Sequence, residues 1–572
     1  MSDIRLSTGD TDTTLTLSAV MMATTVLRTL AATPRVGASM IMGSGAVALQ
    51  RNCYGHFGQG RCHRTLSVWI LAGEPSGDAI GARLLIALTA EAEARGDPVT
   101  AIGGVGGPGM LKAGLRHSLF PMEEISVMGA WELLPHLSRL RRRLHEAATA
   151  VTEAKPDVLI TVDSKGFAFR LVDLVRSHSH NQESEQWQNR KSSGRHTEDK
   201  GGTGRDNRGE VERGTKDHGI GGLAARSSPV CVHYVSPSWW AYRGGEARLK
   251  GLQALGIDRV LCLLPFEPSA LCAAGVPAQF VGHPVVEDLA EARVGRPWLE
   301  DQFRDQLSES PLNHGAWDVG EEKEGGGPVL ALLPGSREQE LRRHLPLMRE
   351  MSALLAARRG GGGRRDVPAG TRVMFLALPQ HVDRLAHETA TWPLPAHVVP
   401  SEPLAARAAA FASTAAAVTA AGTASAQLFA HGVPQVVTYR AHPLSELAAL
   451  AMARTAHAAL PNIVLGREVV PELLGFSRAT PGALADEVAS LLRCAQDGGR
   501  DDMGAGTSGD GDRMGEKEGC GGGESARAQQ LAARREFIAA LTPDAFGTMP
   551  SVVAARAILD AVDERRERNE QQ

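Results

Sequence analysis

An apolar run that ends in a Pro-Gly pair restricts how this chain can fold more than any other stretch does. Residues 328–343 read P-V-L-A-L-L-P-G-S-R-E-Q-E-L-R-R, and all five residues from Val329 to Leu333 are apolar. Such a run is typical of a strand buried on both faces, as in a parallel sheet. The Pro-Gly pair predicts a turn, and Ser336 with Gln339 three places later predicts a capping box. The stretch is therefore predicted to form a buried strand, a turn and a helix.

Arg337 lies in the first turn of this predicted helix. Doubly wound sheets bind ligands at the carboxyl ends of their strands, where the free amide groups of a helix N-terminus favour an anion. A cation beside those amide groups suits a diphosphate. The stretch is equally compatible with an ordinary strand–turn–helix whose arginine is solvated, so it does not identify a ligand by itself.

The composition of the chain argues against several classes of protein. The formal net charge is -4, so no general basic field favours nucleic acid as a partner. The seven cysteines form no C-x-x-C pair, which argues against a disulfide framework and against a zinc site. No run of eighteen apolar residues occurs, so we predict no transmembrane helix. At 572 residues the chain is long enough for more than one domain.

The first 66 residues have the composition of an organellar transit peptide rather than that of a domain. After Asp12 no acidic residue occurs before Glu74, while arginines are scattered through a background of Ser, Thr, Ala and Met. Basic, hydroxyl-rich and acid-poor leaders are typical of import signals. The alternatives are a disordered tail or a wrongly assigned gene start.

Strand and helix patterns alternate through the rest of the chain, which predicts an α/β fold with two Rossmann-like domains facing across a cleft. We place the N-terminal domain at 67–300, with a disordered insertion at 177–228, and the C-terminal domain at 301–550. A C-terminal helix or tail follows at 551–572. Strands are predicted at 67–72, 99–103, 156–162, 230–235, 258–264, 329–333, 373–378, 415–419 and 435–439.

Asp163 directly follows the predicted strand 156–162. A carboxylate at the carboxyl end of a buried strand is well placed to act as a general base, although it can equally be a helix N-cap. Because ligands bind in the cleft between such domains, Asp163 is a candidate catalytic residue.

Apolar residues run directly into a basic cluster between positions 123 and 146. Apolar surface beside arginines suits an acyl chain or an anionic membrane surface. The alternative is a buried stripe followed by a solvated arginine face. The residues predicted to contact acyl chains or membrane are Val127, Met128, Trp131, Leu134, Arg141 and Arg142.

Nine short motifs together resemble the lipid-A-disaccharide synthase family of glycosyltransferases. Each motif is weak alone, but they follow the family's order across about 400 residues. The motifs are A-G-E-P-S-G-D (72–78), I-S-V-M-G (125–129), P-D-V-L-I-T-V-D-S-K-G-F (156–167), P-S-W-W-A-Y-R (237–243), L-P-F-E (264–267), V-G-H-P (281–284), L-P-G-S-R-E-Q-E (333–340), A-G-T-A-S-A-Q (421–427) and L-P-N-I-V-L-G-R-E-V-V-P-E-L-L (460–474).

The resemblance implies a GT-B-like fold and an inverting hexosyltransferase that needs neither metal nor cofactor. Such an enzyme transfers diacylglucosamine from UDP-2,3-diacylglucosamine to the 6-hydroxyl of 2,3-diacylglucosamine 1-phosphate, and releases UDP with the disaccharide 1-phosphate of lipid A biosynthesis. By the same resemblance Asp163 matches the catalytic aspartate, and Arg337 matches an arginine that meets the charge on the departing diphosphate. The substrate-binding positions that it implies are Glu74, Ser76, Asp78, Arg243, Ser336, Gly422, Thr423, Gln427 and Asn462.

Two positions depart from the bacterial pattern of this family. Lys165 and Gly166 stand where bacterial members have Pro-Asp, and the motif D-S-K-G-F is similar to the plant organellar version. Gln427 stands where the family signature has a glutamate, which would accept hydrogen bonds from both ribose hydroxyls of UDP. The loss of that charge is expected to weaken donor binding by about 1–2 kcal/mol.

Two other functions stay open: a catalytically silent lipid- or nucleotide-binding descendant, and another UDP-sugar transferase or epimerase of the same fold. The expected partners are the two acylated sugar substrates and a membrane in peripheral contact, without nucleic acid. A homodimer is one assembly that the sequence leaves open. The expected location is mitochondrial, with a plastid as second choice, because the leader and the D-S-K-G-F motif agree.

Overall fold

The computed structural model describes residues 64–126, 137–178, 228–294, 327–359, 367–441, 446, 451–501 and 526–571. These residues form two sheets of six parallel strands each, connected by helices. The predicted α/β fold with two Rossmann-like domains is therefore confirmed.

The strands are numbered in chain order within this part of the chain. They are β1 (Leu66–Ala72), β2 (Val99–Val105), β3 (Val158–Val162), β4 (Val230–Tyr234), β5 (Arg259–Cys262), β6 (Ala278–Phe280), β7 (Val329–Leu333), β8 (Arg372–Ala377), β9 (Ala396–Pro400), β10 (Ala416–Ala420), β11 (Gln435–Tyr439) and β12 (Glu472–Leu474).

The α-helices are numbered in the same way. They are α1 (Pro75–Arg95), α2 (Pro108–Lys112), α3 (Leu137–Ala154), α4 (165–178), α5 (Gly245–Ala254), α6 (Glu267–Ala273), α7 (Val285–Val294), α8 (Glu338–Ala357), α9 (Val382–Thr389), α10 (Leu404–Ala412), α11 (Thr423–Ala430), α12 (Leu460–Leu465), α13 (Gly475–Arg478), α14 (Pro481–Asp501), α15 (Ala526–Leu541) and α16 (Pro550–Gln571). Within the described ranges, no helix has the length and apolar content needed to cross a membrane.

The first sheet has the strand order β2-β1-β3-β4-β5-β6. Ala72 at the end of β1 pairs with Val162 at the end of β3, and Val162 pairs with Tyr234 at the end of β4. The three strands therefore end at one level. Because parallel strands point the same way, the segments that follow β1, β3 and β4 start side by side at one edge of the sheet.

The second sheet has the order β12-β11-β10-β7-β8-β9, with β7 in its interior. Alternate residues of β7 face two different cores. Leu330 and Leu332 pack with residues of α8 and α14, whereas Val329, Ala331 and Leu333 pack with residues of α10 and α11. The prediction of a strand buried on both faces is confirmed, with the predicted bounds.

The C-terminal helix α16 returns to the first sheet, although the second sheet precedes it in the chain. Residues of α16 between Ala554 and Val562 are buried in the core of the first domain. Arg566 pairs with Asp97 at 2.5 Å between side-chain atoms Nη1 and Oδ2. The last helix of the chain therefore belongs by packing to the N-terminal domain.

A third core joins the two halves of the chain. Leu264 and Leu289 pack in it with Phe429 of α11 and Phe537 of α15. Apolar packing thus fixes the carboxyl end of the first domain against the second.

All nine predicted strands are present, and the structure adds β6, β9 and β12. Each of the three lies at the outer edge of a sheet. Most of the predicted leader and insertion lies outside the described residues, as do the predicted acyl-contact positions Val127, Met128, Trp131 and Leu134.

Candidate active site

The turn between β1 and α1 presents Glu74 at the edge of the first sheet. Glu74 is the N-cap of α1, in an extended conformation, and its side chain makes no capping bond. Gly73 lies against the turn after β3, since a Cβ at this position would be 2.0 Å from Ser164 Oγ. A larger residue cannot fit there without displacing its neighbour. Glycine therefore allows the turns after β1 and β3 to approach each other.

Three residues with left-handed backbone follow neighbouring strands at this edge. Asp163 has φ 50° and Ser164 has φ 45° after β3, and Val235 has φ 78° after β4. These values are unfavourable for residues with a Cβ, above all for β-branched valine. The backbone N–H of Asp163 donates to the Tyr234 carbonyl at 2.9 Å, which holds the two turns together. Backbone strain of this kind clusters at active sites, so this edge is a candidate site.

Asp163 has the electrostatic character of a base. Burial raises the pKa of its carboxyl above the ordinary value. The Lys165 cation, a backbone hydrogen bond involving Ser164 and the Arg337 cation oppose this shift, in that order. A raised pKa makes the carboxylate a stronger proton acceptor, provided that it is ionised at the working pH.

Arg337 from the second sheet meets Glu74 from the first. Arg337 Nη2 donates to Glu74 Oε2 at 2.8 Å, and Nη1 lies 3.4 Å from Glu340 Oε1. Burial raises the pKa of Glu74, with Arg337 lowering it and Asp163 raising it as smaller effects. Glu74, Asp163 and Arg337 therefore interact with one another, and we call them the cleft cluster.

The helix cap beside Arg337 differs from the predicted one. Helix α8 has Arg337 as its N-cap, and Glu340 Oε2 accepts the backbone N–H of Ser336 at 2.9 Å and of Arg337 at 3.3 Å. The predicted pair of Ser336 and Gln339 was wrong by one residue. A charged carboxylate is the stronger acceptor at a helix N-terminus, which favours Glu340 over Gln339. Ser336 itself is exposed beside Arg337.

A buried histidine fixes the turn before Arg337. His344 Nδ1 lies 2.6 Å from the Pro334 carbonyl oxygen, and His344 Nε2 accepts the backbone N–H of Arg440 at 3.1 Å. One nitrogen must donate and the other must accept, so the ring is the neutral Nδ1–H tautomer. Burial lowers the pKa of His344, in agreement. Sequence reasoning missed this residue, because nothing in the pattern links it to a backbone group at position 440.

Two predicted substrate-binding residues are occupied by structural contacts. Asp78 is buried and accepts hydrogen bonds from three backbone N–H groups at the start of α2, those of Gly107, Gly109 and Met110. Asn462 is buried, donates to Glu472 Oε1 at 2.7 Å and accepts two backbone N–H groups of 469–470. Both side chains hold backbone segments in place, the start of α2 for Asp78 and residues 469–470 for Asn462, which differs from the direct substrate contact that the resemblance implies. Ser76 is exposed in the first turn of α1.

The remaining predicted substrate-binding residues lie in the second domain or at its border. Gly422 has φ 135° and is the N-cap of α11, and Thr423 is exposed at the first position of that helix. Gln427, one turn further, donates from Nε2 to Asp288 Oδ2 at 2.9 Å. Arg243 of the first domain donates from Nε to the carbonyl of Ala453 in the second domain at 3.1 Å. This contact differs from those of the cleft cluster.

Three consecutive arginines of α3 differ in their surroundings. Arg141 and Arg142 are exposed. Arg143 instead forms ion pairs with Glu124 at 2.8 Å and with Glu146 at 2.7 Å. The exposed pair is consistent with the predicted contact to an anionic surface and equally with a solvated face.

Glu267 is a further buried carboxyl whose role was not predicted. It accepts the Trp240 indole N–H at 3.0 Å and the Leu264 backbone N–H at 3.1 Å. Burial raises its pKa to about 7. Through these hydrogen bonds Glu267 connects the segments P-S-W-W-A-Y-R and L-P-F-E. In the part of the chain that the structure describes, no group of three or more His, Cys, Asp or Glu side chains is arranged to hold a metal ion.

The geometry provides a half-buried carboxylate and an arginine from opposite domains. A carboxylate of raised pKa can take a proton from a hydroxyl group, and an arginine can stabilise negative charge that develops on a leaving group. Glu74 between them orients the arginine. The site is therefore suited to group transfer between two bound molecules.

Comparison with known proteins gives consistent matches. The family model described as lipid-A-disaccharide synthetase matches residues 68–183 and 225–498. The chain is 35% identical over 428 residues to the probable mitochondrial lipid-A-disaccharide synthase of Arabidopsis thaliana, covering 75% of this chain and 79% of that protein. It is 35% identical over 425 residues to the lipid-A-disaccharide synthase of Gluconobacter oxydans, covering 74% of this chain and 81% of that protein. The enzyme of Rhodospirillum centenum is 33% identical over 429 residues, covering 75% of this chain and 86% of that protein.

Proposed function

This chain belongs to the lipid-A-disaccharide synthetase family, and from that premise we propose how its residues carry out the reaction. It is a glycosyltransferase of lipid A disaccharide synthesis. The donor is UDP-2,3-diacylglucosamine and the acceptor is 2,3-diacylglucosamine 1-phosphate. The products are the disaccharide 1-phosphate and UDP.

Asp163 is the general base of this proposal. Its carboxylate takes the proton of the acceptor 6-hydroxyl while the hydroxyl oxygen bonds to the anomeric carbon of the donor. The bond from that carbon to the UDP oxygen breaks on the opposite face, and its electron pair leaves with the diphosphate. The proton then passes from Asp163 to solvent. A positioned base is typically worth about 10²–10⁴-fold in rate.

Arg337 meets the charge that develops on the departing diphosphate. The observation that carries this assignment is its 2.8 Å ion pair with Glu74, which brings a cation of the second domain to the edge where Asp163 lies. Glu74 holds the guanidinium in place before the substrates bind, so less reorganisation is needed during the reaction. Ser336, exposed beside it, adds a hydroxyl group to the same site.

We assign the UMP part of the donor to the start of α11. Gly422 and Thr423 lie at the helix N-terminus, where backbone amide groups favour a phosphate. Gln427 faces the ribose and accepts a hydrogen bond from a hydroxyl group. Asp78 and Asn462 act indirectly in this proposal, because their side chains are used to hold the start of α2 and the segment 469–470.

The substrates carry acyl chains, so we also propose a peripheral contact with an anionic membrane. The exposed Arg141 and Arg142 of α3 are the described residues that fit this contact. A mitochondrial location agrees with the Arg-rich leader and with the relative in Arabidopsis thaliana, which is named mitochondrial.

A release assay tests the proposal. The full chain is incubated with the two acylated substrates in mixed micelles, and UDP is measured with and without the acceptor. We expect UDP release that depends on the acceptor and is matched by disaccharide formation. Donor and acceptor without acyl chains serve as the control and should react at least about tenfold more slowly, since remote binding energy contributes to the rate. Absence of acceptor-dependent UDP release from the wild-type chain would refute the proposed function.

A further inference from the structure

A buried carboxylate at the border of the two domains contacts Gln427, the residue that stands where the motif resemblance implies a glutamate. Asp288 of α7 is 3% exposed, and its Oδ2 accepts a hydrogen bond from Gln427 Nε2 at 2.9 Å. Its Oδ1 accepts from Arg83 of α1 at 2.6 Å, and Arg407 of α10 lies 3.4 Å from Oδ2. One carboxylate therefore contacts side chains from both domains.

The charge of Asp288 fixes the orientation of the Gln427 amide. Burial raises the pKa of Asp288, but the cations of Arg83 and Arg407 outweigh this effect, and the net pKa is below its ordinary value. An ionised carboxylate only accepts hydrogen bonds, so the amide must present its NH₂ group. Because the amide is planar, its oxygen Oε1 is directed away from Asp288.

A glutamate at position 427 would meet like charge in this environment. Three carboxylates of α7, those of Glu287, Asp288 and Glu291, already share the Arg83 guanidinium. A further carboxylate would add negative charge to this largely buried group, whose cations are Arg83 and Arg407, without adding a cation. Like charges at short distance in a buried site disfavour the ionised form.

We propose that Asp288 is a positioning residue of the donor site, which orients the Gln427 amide and selects an amide over a carboxylate at that position. The inference rests on the proposed function, because that function places Gln427 beside the ribose of UDP. Arg83 connects the same carboxylate to α1, the helix that starts after Glu74. Asp288 therefore contacts Gln427 at the proposed donor site and, through Arg83, the helix that begins beside the cleft cluster.

Exchange of the two side chains tests the proposal. UDP binding to the full chain is measured by titration calorimetry for the wild type, Gln427→Glu, Asp288→Asn and the double variant. We expect Gln427→Glu to weaken UDP binding by about 10- to 100-fold, since a hydrogen bond to a charged group is replaced by repulsion. The double variant keeps one amide, one carboxylate and the wild-type net charge, with the direction of the hydrogen bond reversed. We expect it to bind UDP within about threefold of the wild type.

The alternatives predict different results. If the family glutamate were simply better for the ribose, Gln427→Glu would bind UDP as tightly as the wild type or more tightly, and this would overturn the proposal. A purely structural role for Asp288 would change the unfolding temperatures of the variants without changing their UDP affinity, which would also overturn it. Glu536→Gln, in an exposed pair with Arg467, is the matched control and should leave UDP binding unchanged.

The proposed function and this inference fail in different ways. A wild-type chain that does not bind UDP would refute the donor site and the inference with it. A wild-type chain that binds UDP and is indifferent to Gln427→Glu would refute only the inference.

Discussion

The turns after β1 and after β7 connect the same kinds of elements, but their N-cap residues carry opposite charges. Each connects a buried central strand to a long helix through a glycine, and each places one charged residue at the N-cap, Glu74 in the first domain and Arg337 in the second. A carboxylate is the expected neighbour of a helix N-terminus, whereas an arginine there is electrostatically unfavourable. Two carboxylates supply the negative charge that the second turn needs. Glu340 of the same helix lies 3.4 Å from Arg337 Nη1, and Glu74 of the first domain accepts from Arg337 Nη2 at 2.8 Å.

The two turns also differ in the state of their backbone amide groups. Glu74 makes no side-chain cap, whereas Glu340 occupies the N–H groups of Ser336 and Arg337. A diphosphate at the second turn thus finds two amide groups already bonded. In the proposed site we therefore expect the side chain of Arg337, more than the helix N-terminus, to bind the diphosphate. The predictions below test this difference, from the largest expected effect to the smallest.

Among the changes at these two turns, removal of the Arg337 side chain should lower the rate of UDP release the most. Arg337→Ala is expected to lower the rate of UDP release by about 10²–10³-fold, because a positioned donor to the leaving group is lost. The measurement is initial rate against donor concentration. Arg342→Ala is the control, since Arg342 lies on the same helix, is exposed and pairs only with Glu338 among the described residues. Rates that fall equally in both variants would show a general effect on α8 instead.

Loss of the opposing carboxylate should have a smaller effect. Glu74→Ala removes the partner that orients Arg337 and is expected to lower kcat/KM about tenfold, as for a partly exposed charged hydrogen bond. Glu74→Gln keeps an oxygen acceptor and should stay within about threefold of the wild type. A rate increase in Glu74→Ala would instead mean that Glu74 competes with the diphosphate for Arg337.

Lys165, two residues after Asp163 and at the start of α4, places a cation near the candidate base. Lys165 lowers the pKa of Asp163. A base acts in its ionised form, so activity falls as pH drops through its pKa, and Lys165→Met should move the acid limb of the pH–rate profile to higher pH. The rate on the alkaline plateau should be unchanged. Arg170→Met, a cation of the same helix that donates to the Gly166 carbonyl, serves as the control. An acid limb at the same pH in Lys165→Met and the wild type would contradict this assignment.

The smallest effect concerns the cap of α8. Glu340→Ala frees two backbone N–H groups and is expected to lower the free energy of unfolding by about 1 kcal/mol. Gln339→Ala, at the position that the sequence favoured, should change it by less than about 0.5 kcal/mol. Denaturant titration measures both. Equal losses would contradict the cap formed by Glu340.

The interior of the fold could be predicted from the sequence because its strands are continuous apolar runs. Val329 to Leu333 illustrates this, since every residue of the run is buried and its bounds were predicted correctly. The three strands that were missed lie at sheet edges, where burial is incomplete and the apolar pattern is weak. β9 is half-buried and ends at the exposed Pro400, and β12 has only three residues.

Residues of the candidate site could be predicted only where a charged residue lies close to the carboxyl end of a buried strand. Asp163 directly follows the buried strand β3, and Arg337 lies four residues after the end of the buried strand β7. Both positions made these residues candidates before their contacts were known. Asp78 and Asn462 stand in motifs just as suggestive, but each accepts hydrogen bonds from a backbone segment that sequence patterns do not locate. The partner of Gln427 lies 139 residues away, so no local pattern could reveal it.

The division of roles between Asp163 and Arg337 is tested most directly by measuring UDP affinity and turnover on the same two variants. Asp163→Asn should bind UDP within about threefold of the wild type and lose at least about 10²-fold in turnover, because only the proton acceptor is removed. Arg337→Ala should lose both affinity and turnover. Turnover by Asp163→Asn at the wild-type rate, or an equal loss of UDP affinity in both variants, would contradict a base in one domain acting opposite an anion site in the other.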